Sequence, residues 1–128
     1  MDPVTCSAHF SEDELKCQFT GQKSMNWAFM QKLEALRVEW GEPMIISSAY
    51  RSPDHPRERT KPTGPGWHTG KSIDGGGEAV DVLIAHADAI NFLKLALQYF
   101  QGIGINQKGS QGRFIHLDNR PVPAIWSY

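Results

Sequence analysis

The stretch GRFIHLDNR, residues 112–120, alternates between two kinds of side chain. Ile115 and Leu117 are apolar, whereas His116 and Asp118 follow them at every second position. Because successive side chains of a β-strand point to opposite faces, the pattern predicts a strand with one apolar and one polar face. An apolar face of this kind belongs in a core, so the neighbouring histidine and carboxylate need partners.

The stretch EAVDVLI, residues 78–84, predicts a second core strand that carries one polar group. Asp81 stands between two valines, and a buried carboxylate is paired, hydrogen-bonded or bound to a metal. His68 lies in the loop that leads into this strand. With His116, these residues supply two imidazoles and one carboxylate, a ligand set for catalytic zinc that leaves a fourth position for water. The pattern also fits a buried histidine–aspartate hydrogen bond without metal.

The remaining pattern predicts an α+β fold. A capping box at Ser11 starts a short helix. Helical spacing of apolar residues predicts longer helices over residues 24–40 and 85–100. The second is apolar on most of its surface and is therefore expected to be well buried. The predicted strands cover residues 44–50, 78–84, 102–106, 113–119 and 124–128. This order favours a small antiparallel sheet packed with two main helices.

Length and charge limit the classes of protein. A chain of 128 residues suits one domain, which we expect to span residues 1–128 with its core at about 10–128. The formal net charge of -1 gives no reason to expect nucleic acid or a membrane as partner. No apolar run approaches the roughly 20 residues of a spanning helix. The start MDPVTCSAHF lacks the features of a signal peptide, so we expect no signal peptide. We also expect the protein to be a monomer.

The cysteines and the other histidines give weaker signals. Cys6 and Cys17 form no C-x-x-C pair, which argues against a thiolate zinc site. We expect two free thiols, although a bridge between them stays open. His9 and His86 are expected to be exposed or locally bonded, and His55 is expected to be a loop residue.

A long irregular stretch covers roughly residues 51–77 and is rich in proline and glycine. A loop of this length within a compact domain is usually functional or disordered. Since it leads directly into His68, we expect residues 56–77 to border the site.

Taken in order, the segments SSAYRSPDHP, GWHTG, GEAVD, GIGI, RFIHLD and WSY resemble the M15 family of zinc peptidases, which cut peptidoglycan. That family includes D-alanyl-D-alanine carboxypeptidases, murein endopeptidases and phage endolysins, and its fold is related to the hedgehog signalling domain. The resemblance covers about residues 10–128. It implies that His68, Asp81 and His116 bind Zn²⁺.

The resemblance also implies a set of substrate-binding residues. Arg51 matches the arginine that the family uses near the substrate, and its planar fork suits a carboxylate or a carbonyl of the peptide. Ser48 and Tyr50 are expected to line the same cleft. Trp67 is either an aromatic wall for the substrate or a packing residue.

The chain departs from the family pattern between the first two ligands. The family usually has its aspartate seven residues after the histidine, and that position here is Gly75. The segment SIDGGG has the character of an insertion, after which GEAVD matches the family pattern. Asp81 is the preferred ligand because it lies on the strand, and Asp74 is its rival.

A second departure concerns the general base. Many members of the family carry an acidic residue three positions before the last histidine, and that position here is Arg113. The remaining candidates are Asp118, which is either the base or a residue that orients the site, and Glu78.

The resemblance implies a zinc-dependent peptidase that hydrolyses an amide bond in peptidoglycan stem peptides or cross-links. A phage or prophage lysis enzyme, held in the cytoplasm until release or carried on the virion, fits the small size of the chain. The alternative is an inactive zinc-binding module of the same fold, which binds the cell wall or serves as a virion structural part.

Overall fold

The computed structural model describes residues 1–128 as an α+β domain, which confirms the predicted fold class. Its helices and strands follow in the order α1 (Glu12–Leu15), α2 (Trp27–Trp40), β1 (Ile45–Ser48), α3 (Pro56–Arg59), β2 (Ala79–Leu83), α4 (His86–Ala96), β3 (Gly102–Asn106), β4 (Phe114–Asp118) and β5 (Ala124–Ser127). None of the helices is long and apolar enough to cross a membrane.

The sheet is mixed, whereas the sequence led us to expect an antiparallel one. Its strand order is β1-β2-β4-β3-β5, and β2 and β3 both pair antiparallel with β4. The chain reverses after β4, but β5 then lies beyond β3 and pairs parallel with it. The reversal contains Pro121 and Pro123, which have no backbone N–H to donate and so cannot extend the β4 pairing.

The register of the sheet decides which side chains meet on its polar face. Asp81 of β2 lies opposite His116 of β4, which lies opposite Gly104 of β3, which in turn pairs with Trp126 of β5. Because Gly104 has no side chain, it leaves a space between His116 and Trp126 in this row. As a result, the rings of His116 and Trp126 approach to 5.1 Å between centroids.

The apolar face of the sheet packs against the two long helices. Val80, Val82, Ile115 and Leu117 alternate with the polar residues of β2 and β4, and all four are buried. This confirms the alternation read from the sequence. Helix α2 contributes four buried apolar side chains to the core, namely Phe29, Met30, Leu33 and Leu36.

The helix boundaries differ from the predicted ones for local reasons. The side chain of Asn26 accepts a hydrogen bond from the Phe29 N–H, so α2 starts three residues later than predicted. Helix α4 ends at Ala96, and only three of its residues are buried. Ile90 and Leu97 are exposed, so the expected burial of most of its surface was wrong.

Residues between β1 and β2 form an ordered segment with little regular structure. The short helix α3 within it was not predicted, since four residues are too few for a periodic pattern. Cys6 is exposed, Cys17 is buried, and both thiols are unpaired, as expected.

The packing of α2 gives a direct test of the core. Leu33→Ala should lower the free energy of unfolding by about 3 kcal/mol, because it removes a fully buried side chain and leaves a cavity. Urea denaturation followed by circular dichroism measures this loss. Val38→Ala, on the exposed face of the same helix, should change it by less than about 0.5 kcal/mol. Equal losses in the two variants would contradict the assigned helix face.

Candidate functional site

Three buried side chains converge on the polar face of the sheet. Asp81 and His116 project from paired strands, and His116 Nδ1 lies 3.0 Å from Asp81 Oδ1. His68 reaches the same oxygen from the preceding loop, with its Nε2 at 3.4 Å. The structure therefore brings together the three residues that the sequence singled out as metal ligands.

The geometry of this group fits a metal ion. Its ligand atoms all lie within 4.8 Å of one another. Tetrahedral zinc with bonds near 2.0–2.1 Å places its ligand atoms roughly 3.3 Å apart, and the two distances from Asp81 Oδ1 are close to that value. Asp81, His68 and His116 are also all buried, which keeps competing water away.

The orientation of His68 gives a second reason for a cation. The Nδ1–H of His68 donates to the Ala49 carbonyl at 2.7 Å, which directs Nε2 at the Asp81 carboxylate. Burial lowers the pKa of His68, although Asp81 acts in the opposite direction. A neutral His68 thus points a lone pair at a carboxylate oxygen, and a cation between the two acceptors relieves their repulsion.

Asp118 lies on the far side of His116 from this group. The Nε2–H of His116 donates to Asp118 Oδ2 at 2.8 Å. Arg120 donates to both oxygens, from Nε to Oδ1 at 2.8 Å and from a terminal nitrogen to Oδ2 at 2.7 Å. Asp118 is fully buried, and both its oxygens are therefore engaged.

The charges of the site are strongly coupled. Burial alone would raise the pKa of Asp81, but the hydrogen bond from His116 outweighs it and holds the pKa well below its usual range. Burial likewise opposes ionisation of Asp118, yet Arg120 and His116 lower its pKa to about 2. Burial disfavours the charged form of His116, but Asp118 and Asp81 raise its pKa. His116 therefore lies between two carboxylates that both favour its charged form.

Arg51 lies between two buried carboxylates. One terminal nitrogen is 3.4 Å from Glu58 Oε2 and the other is 3.6 Å from Asp81 Oδ2. The Arg51 side chain is only 11% exposed, so its position is fixed before any substrate arrives. It borders the oxygen of Asp81 that the histidines do not contact.

Glu58 is a central residue that sequence reasoning missed. It is buried and accepts hydrogen bonds from the Gly66 N–H at 2.7 Å, from Lys61 Nζ at 2.9 Å and from the Thr69 hydroxyl at 3.3 Å. Burial opposes its ionisation, but the donors at Gly66 and Lys61 lower its pKa to about 2. In the sequence Glu58 stands between Arg57 and Arg59, a pattern typical of a solvent-exposed charged segment. No feature of the neighbouring residues indicates that its side chain is buried.

The converging group lies at the bottom of a cavity of about 330 Å³. The predicted site residues in its lining are Arg51, Trp67, His68, Asp81, His116 and Asp118. Lining residues that were not predicted include Arg57, Lys61, Phe114, Arg120, Trp126 and Tyr128. The segment 56–77 contributes several of these side chains and does border the site.

The other predicted substrate residues lie around this cavity. Trp67 is half-buried in its lining, and the guanidinium carbon of Arg120 lies 5.7 Å from its ring centroid. Ser48 lines a neighbouring depression that it shares with Arg51 and Asp81. Tyr50 is half-buried and packs against the core, outside the lining of either space.

The remaining acidic candidates lie away from the converging group. Asp74 is exposed in its loop. Glu78 is buried, and its carboxylate accepts the backbone N–H groups of Lys71 and Ser72 at 2.9 and 2.8 Å. Arg113, at the position where the family carries an acid, contacts His86 and lies outside the cavity lining.

Comparison with known proteins identifies the family. A family model described as Peptidase M15 matches residues 8–118. The chain belongs to the peptidase M15 family. As an M15 member it carries a hydrolytic peptidase domain, and the matched segment includes His68, Asp81, His116 and Asp118. Searches of curated proteins and of solved structures gave no match.

The buried charge of Glu58 predicts a pH-dependent contribution to the stability of this M15 domain. Glu58→Gln should lower the free energy of unfolding at pH 7 by about 3 kcal/mol, because it breaks a buried charge network. The folded-state pKa of about 2 lies below the ordinary 4.5, so the carboxylate stabilises the fold fully above pH 4.5. The difference from wild type should shrink as the pH falls from 4.5 to 2.

Urea denaturation at several pH values measures this difference. Glu42→Gln is the matched control, since Glu42 is exposed, and its effect should stay within about 0.5 kcal/mol. A Glu58→Gln effect that is the same at pH 3 as at pH 7 would contradict the role assigned to the charge.

Proposed function

We propose that this M15 member is a zinc-dependent peptidase that hydrolyses an amide bond in peptidoglycan stem peptides or cross-links. The observation that carries the proposal is the convergence of His68 Nε2, His116 Nδ1 and an Asp81 oxygen at the bottom of a cavity. Family membership supports peptide hydrolysis, and the donor set of two imidazoles and one carboxylate supports zinc with an open position.

In this proposal His68, Asp81 and His116 hold the ion. Bound zinc supplies a Lewis acid and lowers the pKa of a water molecule towards roughly 7. Arg51 binds a carbonyl or carboxylate of the peptide beside the reacting bond, because its guanidinium already lies next to Asp81. Trp67 serves as one wall of the substrate cleft, and Ser48 lines the depression beside it.

We further propose that Asp118 orients His116 and is not the general base. Both of its oxygens accept hydrogen bonds from Arg120, and one also accepts from His116. A pKa near 2 makes it a weak proton acceptor at neutral pH. Glu78 is a poorer candidate, since its carboxylate holds the loop backbone at Lys71 and Ser72.

A second function is favoured by one specific observation. Asp81 and Asp118 are the only carboxylates in the cavity lining, and both are engaged by neighbouring side chains. Where many family members carry an acid, Arg113 contacts His86 instead. A zinc-binding module that recognises the cell wall or builds a virion without cutting peptides would need no free carboxylate.

The proposed setting is lysis of a bacterial wall by a phage or prophage enzyme, acting as a monomer. The enzyme would stay in the cytoplasm until release, or travel with the virion. Membership of the M15 family, which includes phage endolysins, supports this setting.

The function is tested by zinc content together with cleavage. Purified protein should contain equimolar zinc and release peptides from peptidoglycan that mass spectrometry detects. His116→Ala should lose both properties, because it removes a ligand from the buried group. His9→Ala is the matched control, since His9 is exposed and should leave both unchanged. Zinc without cleavage would favour the binding module, and absence of zinc would contradict the site.

The identity of the carboxylate ligand has its own test. Asp81→Asn should weaken zinc binding by more than the roughly 10–100-fold that outer hydrogen-bond partners contribute, because it removes a direct ligand. Asp74→Asn should leave zinc affinity unchanged, since Asp74 is exposed in its loop. Competition with a chromophoric chelator measures both affinities. The reverse order of effects would make Asp74 the ligand.

A further inference from the structure

We propose that Arg120 is a positioning residue of the metal centre, which acts through Asp118 on the orientation of His116. The inference rests on the proposed zinc site and adds a residue beyond the segment matched by the family model. Arg120 is not expected to touch the metal. Its effect is to fix the carboxylate that fixes the imidazole.

The contacts between Arg120 and Asp118 leave the carboxylate one orientation. The guanidinium donates from Nε to Oδ1 at 2.8 Å and from a terminal nitrogen to Oδ2 at 2.7 Å. The backbone N–H of Arg120 also donates to Oδ1, at 3.1 Å. This paired arrangement fixes the plane of the carboxylate as well as its position. Rotation of Asp118 would break all three contacts of a carboxylate that is fully buried.

The fixed carboxylate in turn determines the state of His116. Asp118 Oδ2 accepts from His116 Nε2 at 2.8 Å, so the proton of the neutral ring is held on Nε2. Nδ1 is then the nitrogen available for a metal, and it faces Asp81 Oδ1. A hydrogen bond of this kind to a ligating histidine sets both its tautomer and its basicity.

The surroundings of Arg120 are built to hold it in place. Its guanidinium carbon lies 4.6 Å from the Trp126 ring centroid and 5.7 Å from that of Trp67. A Cβ atom on Gly102 would overlap the Asp118 carboxylate, and one on Gly104 would lie 2.7 Å from Trp126 Nε1. The two glycines of the GIGI segment therefore make the space that this arrangement occupies.

A purely structural role for Arg120, such as attaching β5 to the sheet, would change stability and leave the histidine unaffected. The two roles are separated by measuring zinc affinity and the state of His116 directly. The variants are Arg120→Gln and Arg120→Lys. Lys71→Gln is the matched control, because Lys71 is a cation 5.6 Å from the Trp67 ring centroid that does not contact Asp118.

Zinc dissociation constants come from competition with a chromophoric chelator. Arg120→Gln should weaken zinc binding by about 10–100-fold, the usual effect of losing an outer partner. The zinc affinity of Arg120→Lys should lie between those of Arg120→Gln and wild type, since lysine keeps the charge and loses the paired hydrogen bonds. Lys71→Gln should bind within twofold of wild type. An Arg120→Gln affinity within twofold of wild type would overturn the proposal.

Nitrogen-15 NMR of the histidine rings in metal-free protein provides the second measurement. We expect the Nε2–H signal of His116 to be protected from exchange in wild type and lost or shifted in Arg120→Gln. This result supports the proposal even if wild type fails to bind zinc, in which case the proposed function fails alone. An unchanged His116 signal in both Arg120 variants would overturn it.

A double-mutant cycle with Asp118→Asn completes the test. If Arg120 acts through Asp118, the double variant should bind zinc no more than about twofold more weakly than Asp118→Asn alone. Full additivity of the two losses would show that Arg120 acts by another route and would overturn the proposal.

Discussion

Burial of four carboxylates, those of Glu58, Glu78, Asp81 and Asp118, is the constraint that organises this domain. An unpaired charge in such positions costs several kcal/mol, so each carboxylate needs its own donors. Glu58 accepts hydrogen bonds from Lys61 and from the backbone of the loop after α3. Glu78 accepts hydrogen bonds from the backbone of the loop before β2. Asp118 is compensated by an arginine and a histidine, and Asp81 by His116 with an arginine nearby. The irregular segment between β1 and β2 is thus ordered by charge compensation, while the helices and the other sheet face are ordered by apolar packing.

This division explains what the sequence could predict. The strands β2 and β4 alternate with period two, and a polar residue within an apolar strand is visible without any knowledge of its neighbours. His116 and Asp81 were found in this way, and the register then places them opposite each other. The burial of α4 was harder to predict, because apolar composition does not distinguish a buried helix from one with an exposed apolar face. Ile90 lies on that exposed face.

The residues that were missed are those whose partners are distant in sequence or unusual in type. The burial of Glu58 depends on Gly66 and Thr69, which approach only after the loop has folded back. Trp126 reaches the site because β5 crosses to the far side of β3, a parallel pairing that no local pattern indicates. Gly104 could be read as a weak point in a strand, yet it admits the Trp126 ring beside His116. Such features depend on tertiary contacts and not on local propensity.

The closure of the loop by Glu78 has a consequence for how the domain can change over evolution. Its carboxylate accepts hydrogen bonds from the backbone at Lys71 and Ser72. These bonds close the loop between His68 and Asp81 near its two ends. Ile73 and Asp74 form the exposed tip of the loop beyond these hydrogen bonds. Residues can be added or removed at the tip while the two ends keep their positions, because long surface loops cost little extra entropy. Related chains are therefore free to vary this spacing, and the tip offers a place where a new recognition sequence can be inserted next to an unchanged catalytic fold.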